Sequence, residues 1–278
     1  MRTSDKRLTD VEARRNRSVT AMISGYRTAI EDIVARAQAR ALIDLQDQVD
    51  IKDGRIQPTV KTQNAMRKVD QIFMNAMEES GLSRVLNGFT SSFSSQIPIF
   101  RESLSIVGQR EKIPLADFQF RSEDQRSLLA NQKNAQTLLQ NAVTQAAEAG
   151  RQNAMLSVGG VPFRDLAVGL ANRFRLAVSK SEDIAKTTIS TYYRLLTAAS
   201  SARIEAGLPP GVVLRYQPIG PLDKLNRPFC RRLMEADKTY TRDQIDKMNN
   251  GQGLPVFTTF GGYRCRHIWG IDSLDEQA

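Results

Sequence analysis

The chain has 278 residues and carries 39 Lys and Arg against 30 Asp and Glu, a formal charge of +9, and is long enough to bury one large core or two modest ones. No run of about eighteen apolar residues occurs, and the opening MRTSDKRLTDVEARRNRS sets no apolar segment behind its charges, so neither a membrane span nor a secretory leader is expected. With two cysteines and no export signal the thiols are expected to stay reduced, which weighs against a structural disulfide.

Taken in chain order, Thr9-Asp10-Val11-Glu12 has the spacing of a capping box, and Met22, Tyr26, Ile30, Ile33, Ala37 and Leu45 trace one apolar stripe along a helix of about forty residues. DIKDGRIQPT interrupts it, with a turn at Asp53-Gly54 and a fresh start at Pro58. A second stripe, Met66, Val69, Phe73 and Met77, stops near Gly81; a third segment runs from Leu82 to about Phe93, and TSSFSSQIP predicts a break. Another long helix starts near Ser122, with Leu128, Leu129, Leu138, Leu139 and Val143 as its apolar positions. The stripes are narrow for their length. They fit helices that bury surface against other subunits as well as an ordinary antiparallel bundle.

SVGGVP at 157 to 162 marks a boundary. Beyond it Leu166, Leu170 and Phe174 line one helix, and Ser179-Lys180-Ser181-Glu182 repeats the capping-box pattern and predicts the start of a second. Ile184, Thr188, Tyr192, Leu196 and Ala199 form its inner face, and Gly207 with Pro209-Pro210 stops it. VVLRYQPIG reads as a strand. Turns at Asn250-Gly251 and Gly261-Gly262, a short helix from Arg242 to Met248 and a last strand from Arg264 to Trp269 complete the expected elements. The expected fold is mainly α: a long-helix N-terminal bundle over 1–157, a helical pair over 158–208 and a small α+β module over 209–278. A module that small needs a staple or a host domain.

Cys230, Cys265 and His267 offer two thiolates and one imidazole, the ligand types zinc prefers, and residues two apart on a strand share a face. Asp223 is the candidate fourth ligand. A structural zinc, two buried reduced cysteines beside a packed histidine, and a disulfide all remain open on the residues alone. A catalytic reading would make Cys230 a nucleophile, His267 its base and Asp223 the orienting acid. One Cys and one His at separate positions are a weak basis for it. Trp269 stands where a zinc deaminase needs Glu, and there is neither a dense carboxylate cluster nor a phosphate-cradling G-x-x-x-x-G-K-[ST], so no enzyme is expected. Asp223 and Arg227, four apart, are expected to pair across a turn, and Trp269 to pack in the core. Arg231, Arg232, Arg264 and Arg266 flank the cysteines as a candidate contact surface for nucleic acid or an acidic partner. The basic surplus favours a polyanion, although a solvated mixed-charge surface carries a surplus of this size too. Aromatics are 6% of the chain and do not interleave with the basic runs, which argues against a stacking platform for single strands.

The order of these elements carries a resemblance. A helix with Ala185-Lys186-Thr187, a strand, Asp223 with Arg227-Pro228-Phe229-Cys230, NGQGLP and a closing GGYRCRH resemble, over about residues 160 to 272, the minor head or head morphogenesis proteins of tailed bacteriophages, typified by the Mu F-like proteins. Two departures stand out: Thr188 takes the place of the family's usual Glu, and the pattern closes on Cys-Arg-His rather than Cys-Arg-Cys. The resemblance implies a non-enzymatic virion protein, assembled in the host cytoplasm and placed in the head, in its interior or at the portal vertex. Implied partners are portal and major capsid protein and double-stranded DNA, with several copies per particle and no membrane. The alternatives are a DNA-acting enzyme or toxin centred on Cys230, His267 and Asp223, and a free DNA-binding regulator.

Overall fold

The computed structural model describes residues 6–113, 115, 120–156 and 160–276. In chain order, α1 (Lys6–Gln48) leads to a hairpin of β1 (Ile51–Lys52) and β2 (Arg55–Ile56), then α2 (Val60–Arg67), α3 (Val69–Glu79), α4 (Leu82–Ser91), a 3-10 turn at Ser92–Ser95 and α5 (Gln96–Glu111). The long helices α6 (Ser122–Leu156) and α7 (Phe163–Ala206) follow, and β3 (Val212–Ile219), α8 (Pro228–Glu235), β4 (Tyr240–Thr241), α9 (Arg242–Asp246), α10 (Val256–Thr259) and β5 (Ile268–Glu276) complete the chain. With 71% helix and 9% strand, the protein is mainly α, with a long-helix N-terminal region and a small C-terminal sheet module, the class expected.

Contacts group the chain into two units that interleave in sequence, one from 22–90 and 135–185, the other from 1–21, 91–134 and 186–278. Of the boundary expected at SVGGVP, Ser157, Val158 and Gly159 lie outside the described residues.

In the first unit the apolar stripes meet as their spacing predicts. Tyr26, Ile30, Ile33 and Leu45 of α1, Met66, Val69, Phe73 and Met77 of α2 and α3, and Leu166, Leu170 and Phe174 of α7 are all buried. Phe73 stacks on Phe174 at 4.8 Å and Tyr26 meets Phe89 at 4.6 Å. The α6 expectation holds in part, since Leu139 and Val143 are buried and Leu138 is exposed. Asp53 and Gly54 both take positive φ, 52° and 72°, as a two-residue hairpin turn requires. That hairpin receives the start of α7: Ile56 N–H donates to Val161 O at 3.0 Å, Phe163 N–H to Gly54 O at 3.1 Å, and the Arg55 side chain to Gly160 O at 2.8 Å.

The second unit holds the sheet, ordered β4-β3-β5 and antiparallel throughout. β3 pairs with β5 from Val212↔Glu276 to Ile219↔Ile268, with one bulge at Arg215/Tyr216. Its core is aromatic: Tyr216 meets Phe257 edge-on at 5.0 Å, Phe260 lies 4.6 Å from Trp269, and Phe93 lies 5.5 Å from Tyr192. Of the two leading leucines of α6, Leu128 is buried here and Leu129 is exposed.

Four local expectations need correction. Thr9 lies inside α1, which already runs from Lys6, and so does not mark its start. Ser179-Lys180-Ser181-Glu182 opens no second helix either: α7 continues unbroken, and the Ser181 hydroxyl donates back to Val178 O at 2.8 Å, satisfying itself inside the helix. The break expected at TSSFSSQIP is only the 3-10 turn, and Pro98 sits in the first turn of α5, where its missing N–H costs nothing. The last strand begins at Ile268, not Arg264, and extends to Glu276, because the whole length of β3 pairs there.

In this second unit Arg15, buried on α1, lies over the Tyr193 ring at 4.3 Å, with Glu12 one turn before it. Burial lifts the Glu12 carboxyl from 4.5 to about 7, with Arg15 opposing and Asp272 assisting. The folded protein therefore holds this proton more tightly than the unfolded chain does. The stability it contributes is full below about pH 4.5 and is lost as pH rises through about 7. Glu12→Gln should flatten stability across that window, measured as urea midpoints at a series of pH values; an unchanged slope would show that Glu12 is solvated in the folded protein.

Candidate metal centre

Pro228 starts α8 at a position where no backbone donor is needed, and this turn places Cys230 facing inward on the short helix. The other two donors come from the segment just before β5. Gly262, at φ 87°, turns the chain, Cys265 N–H closes the turn on Gly262 O at 3.1 Å, and the segment delivers Cys265 and His267 before the first strand residue. The reading of Cys265 and His267 as alternate residues of a strand is thus replaced: a turn and its exit bring them together.

Cys230 Sγ, Cys265 Sγ and a His267 ring nitrogen all lie within 4.8 Å of one another, and all three residues are buried. The two sulfurs are 3.7 Å apart, and Cys265 Sγ is 3.5 Å from His267 Nδ1. Tetrahedral zinc with bonds of about 2.3 Å to sulfur and about 2.0–2.1 Å to nitrogen has S···S edges of about 3.8 Å and S···N edges of about 3.5 Å. The two edges found here therefore match those of a tetrahedral site, and the cluster could hold a metal ion.

The surroundings suit that use. His267 Nε2 lies 2.9 Å from Pro221 O, a carbonyl that can only accept, so Nε2 carries the proton and Nδ1 turns a lone pair toward the sulfurs. The ring is stacked on Phe260 at 5.4 Å, and a Cβ on Gly220 would stand 2.5 Å from it. Gly261 donates its N–H to Cys265 Sγ at 3.3 Å, and a Cβ there would lie 2.3 Å from Cys230 Sγ and 3.2 Å from Cys265 Sγ. Only glycine can therefore bring its amide to the sulfurs. Between the cysteines, Cys230 holds the shared proton, which pushes its thiol up. Donation from Cys230, with Arg194 and the His267 backbone N–H assisting, pulls Cys265 down toward thiolate against the effect of burial.

Arg194, on α7, is the residue that sequence reasoning missed. It is 2% exposed, and its guanidinium donates to Cys265 O at 2.6 Å and to His267 O at 3.0 and 2.9 Å. Burial lowers it to about 10, so it stays charged at neutral pH, and the groups that favour its charge are Cys265 and Cys230. One turn further on, Thr197 donates to Trp269 O at 3.0 Å. Ser190, Arg194, Thr197 and Ser201, at steps of four, three and four, are all buried and make a polar seam along one helix face. That spacing was the signal available in the sequence.

Asp223 stands apart from the donors. Its two oxygens accept from Arg266 at 2.8 and 2.7 Å, and that pairing is the largest of the causes holding the carboxyl down at about 2. The expected Asp223–Arg227 pair does not form, because Arg227 instead donates to Gly261 O at 2.5 Å and Tyr263 O at 2.6 Å, where two carbonyls converge on one guanidinium. Arg231 reaches Asp223 O at 3.2 Å, and Arg231, Arg232 and Arg264 are exposed while Arg266 is half-buried. Trp269 packs in the core as expected, with Nε1–H donating to Val256 O at 3.2 Å. Among the described residues no fourth Cys, His, Asp or Glu joins the three donors.

No family model, curated protein or solved structure matches the chain.

Gly261→Ala should cost about 1–3 kcal/mol, the usual range for overpacking, because the new methyl displaces both sulfurs. Arg194→Met should cost about 2–4 kcal/mol by leaving buried carbonyls unsatisfied. Urea unfolding measures both, and losses below about 0.5 kcal/mol, the range of neutral surface changes, would show that the cluster tolerates displacement.

Proposed function

We propose that the chain is a structural, non-enzymatic virion protein of a tailed bacteriophage. In this reading it is a minor head protein, assembled in the host cytoplasm and present in several copies at the portal vertex or in the capsid interior. Its partners are portal protein, major capsid protein, or both, with packaged double-stranded DNA as a further contact. One observation carries the reading. The residues that bear the resemblance to the head proteins, Asp223, Arg227, Cys230, Cys265 and His267, are the ones that tie the C-terminal loops to one another. They serve as fasteners: each metal-type donor is buried to 5% exposure or less, which leaves no reacting group open to a substrate. The charge of +9 supports the DNA contact, and exposed apolar side chains such as Leu138 and Val168 on long helices support contacts between subunits.

Mass spectrometry of gradient-purified particles from a host carrying the gene should find this chain with the heads. Its absence from particles, with recovery as free DNA-bound protein, would replace this reading with the regulator.

The metal proposed for the centre is zinc, held by Cys230, Cys265 and His267 as a structural ion that lends the small module binding energy. Elemental analysis of protein purified without chelator should give about one zinc per chain, falling to near zero in Cys230→Ser with Cys265→Ser. A ratio near zero in the unaltered protein leaves the cysteines as a packed thiol pair.

A further inference from the structure

In the unit that contains the sheet, large apolar side chains reach solvent in one district. Leu222 is 55% exposed, Leu225 72%, Leu254 42% and Tyr263 55%, and they sit on the three loops around the Cys/His cluster. Among the described residues of that unit, the other exposed large hydrophobic is Leu129 on α6. These loops are fastened together. Arg227 holds the carbonyls of Gly261 and Tyr263, Gln252 Oε1 accepts the Tyr263 N–H at 3.0 Å, and Asn250 donates to Leu254 O at 3.2 Å and Phe260 O at 3.0 Å. Arg266 joins Asp223 to Asn226 in the first loop. The anchors are therefore displayed on a prearranged frame, and binding to them orders little backbone.

Charge narrows the occupant. Segments 221–236 and 250–266 hold six bases against two acids, and the Arg266–Asp223 pair removes one of each, which leaves five bases against one acid. Lys224, Arg231 and Arg232 are exposed; Lys224 lies between Leu222 and Leu225 in the chain, and Arg231 reaches Asp223 O beside Leu222. A DNA duplex would satisfy the bases but offers little apolar surface to cover three leucines and a tyrosine, whereas an acidic protein segment with apolar side chains satisfies both. We propose that this rim docks an acidic segment of a partner protein that carries apolar anchor side chains. The inference rests on the tied loops and their charge, and it holds wherever the protein assembles.

The full-length protein is titrated, with fluorescence anisotropy as the readout, into three labelled probes at physiological salt. The probes are a 20-residue peptide alternating Glu with Leu and Phe, a polyglutamate of equal charge, and a 20-base-pair duplex. The mixed peptide should bind at least tenfold more tightly than either of the others. Leu225→Asp with Tyr263→Asp, both exposed and so expected to leave the melting temperature unchanged, should weaken it at least tenfold. Binding equal to polyglutamate, no binding, or no response to the double variant overturns the proposal. Tighter binding of the duplex, lost in Arg231→Glu, would make the rim a nucleic-acid surface instead. The assay uses no particles, so its failure leaves the proposed virion role to its own test.

Discussion

The module is organised by one buried cation. Arg194 lies in the interior and spends its donors on the main-chain carbonyls of residues 265 and 267, while Thr197, one turn along, takes that of 269. A helix thereby reads three alternate carbonyls of the segment that enters β5, much as a neighbouring strand would. A guanidinium without solvent is costly, and this one is tolerable because carbonyl dipoles and a thiol that leans toward its anion surround it. The positions of Cys265 and His267 follow from that fastening, and α8 brings Cys230 to them.

Around it the glycines and arginines divide the work. Gly261 lets an amide reach sulfur where any side chain would collide, and Arg227 holds the carbonyl on the other side of the same residue. Asp223 and Arg266 close the outer loop. The interior donors are shielded and the exterior loops are held, so the module combines a closed core with a presented surface.

Much of this was legible in the sequence wherever one rule governed one element. The long stripes predicted α1, α2 with α3, and the inner face of α7, because a residue that recurs every three or four positions has only one way to hide. The Asp53-Gly54 turn and the β3 strand were read by the same local logic. Errors arose where a local motif had a second use. Ser179 has the spacing of a cap before Glu182 but lies inside one continuous helix, and Pro98 looks like a breaker but falls in a first turn, so α5 was not expected. At the centre the donor types were readable and the partners were not. Asp223 is as plausible a ligand as any acid until Arg266, far along the chain, claims it, and Arg194 lies 71 residues before the carbonyl it serves. Such pairings are fixed by tertiary packing, and sequence spacing is silent on them.

The interleaving of the two units has a consequence for synthesis. The hairpin at residues 51–56 finds its partner only when residues 160–163 have emerged, and the segment of α1 that carries Arg15 belongs to the same unit as the last strand. A ribosome making this chain must release a first helix whose Arg15 waits for Tyr193, and whose unit is complete only when the last strand has emerged. Until then that helix and the opened sheet edge are surfaces that a chaperone or another nascent chain can seize. Loss of the final strand would therefore strip β3 of its longest partner and α5 of a neighbour while the first helix of the same unit is already made.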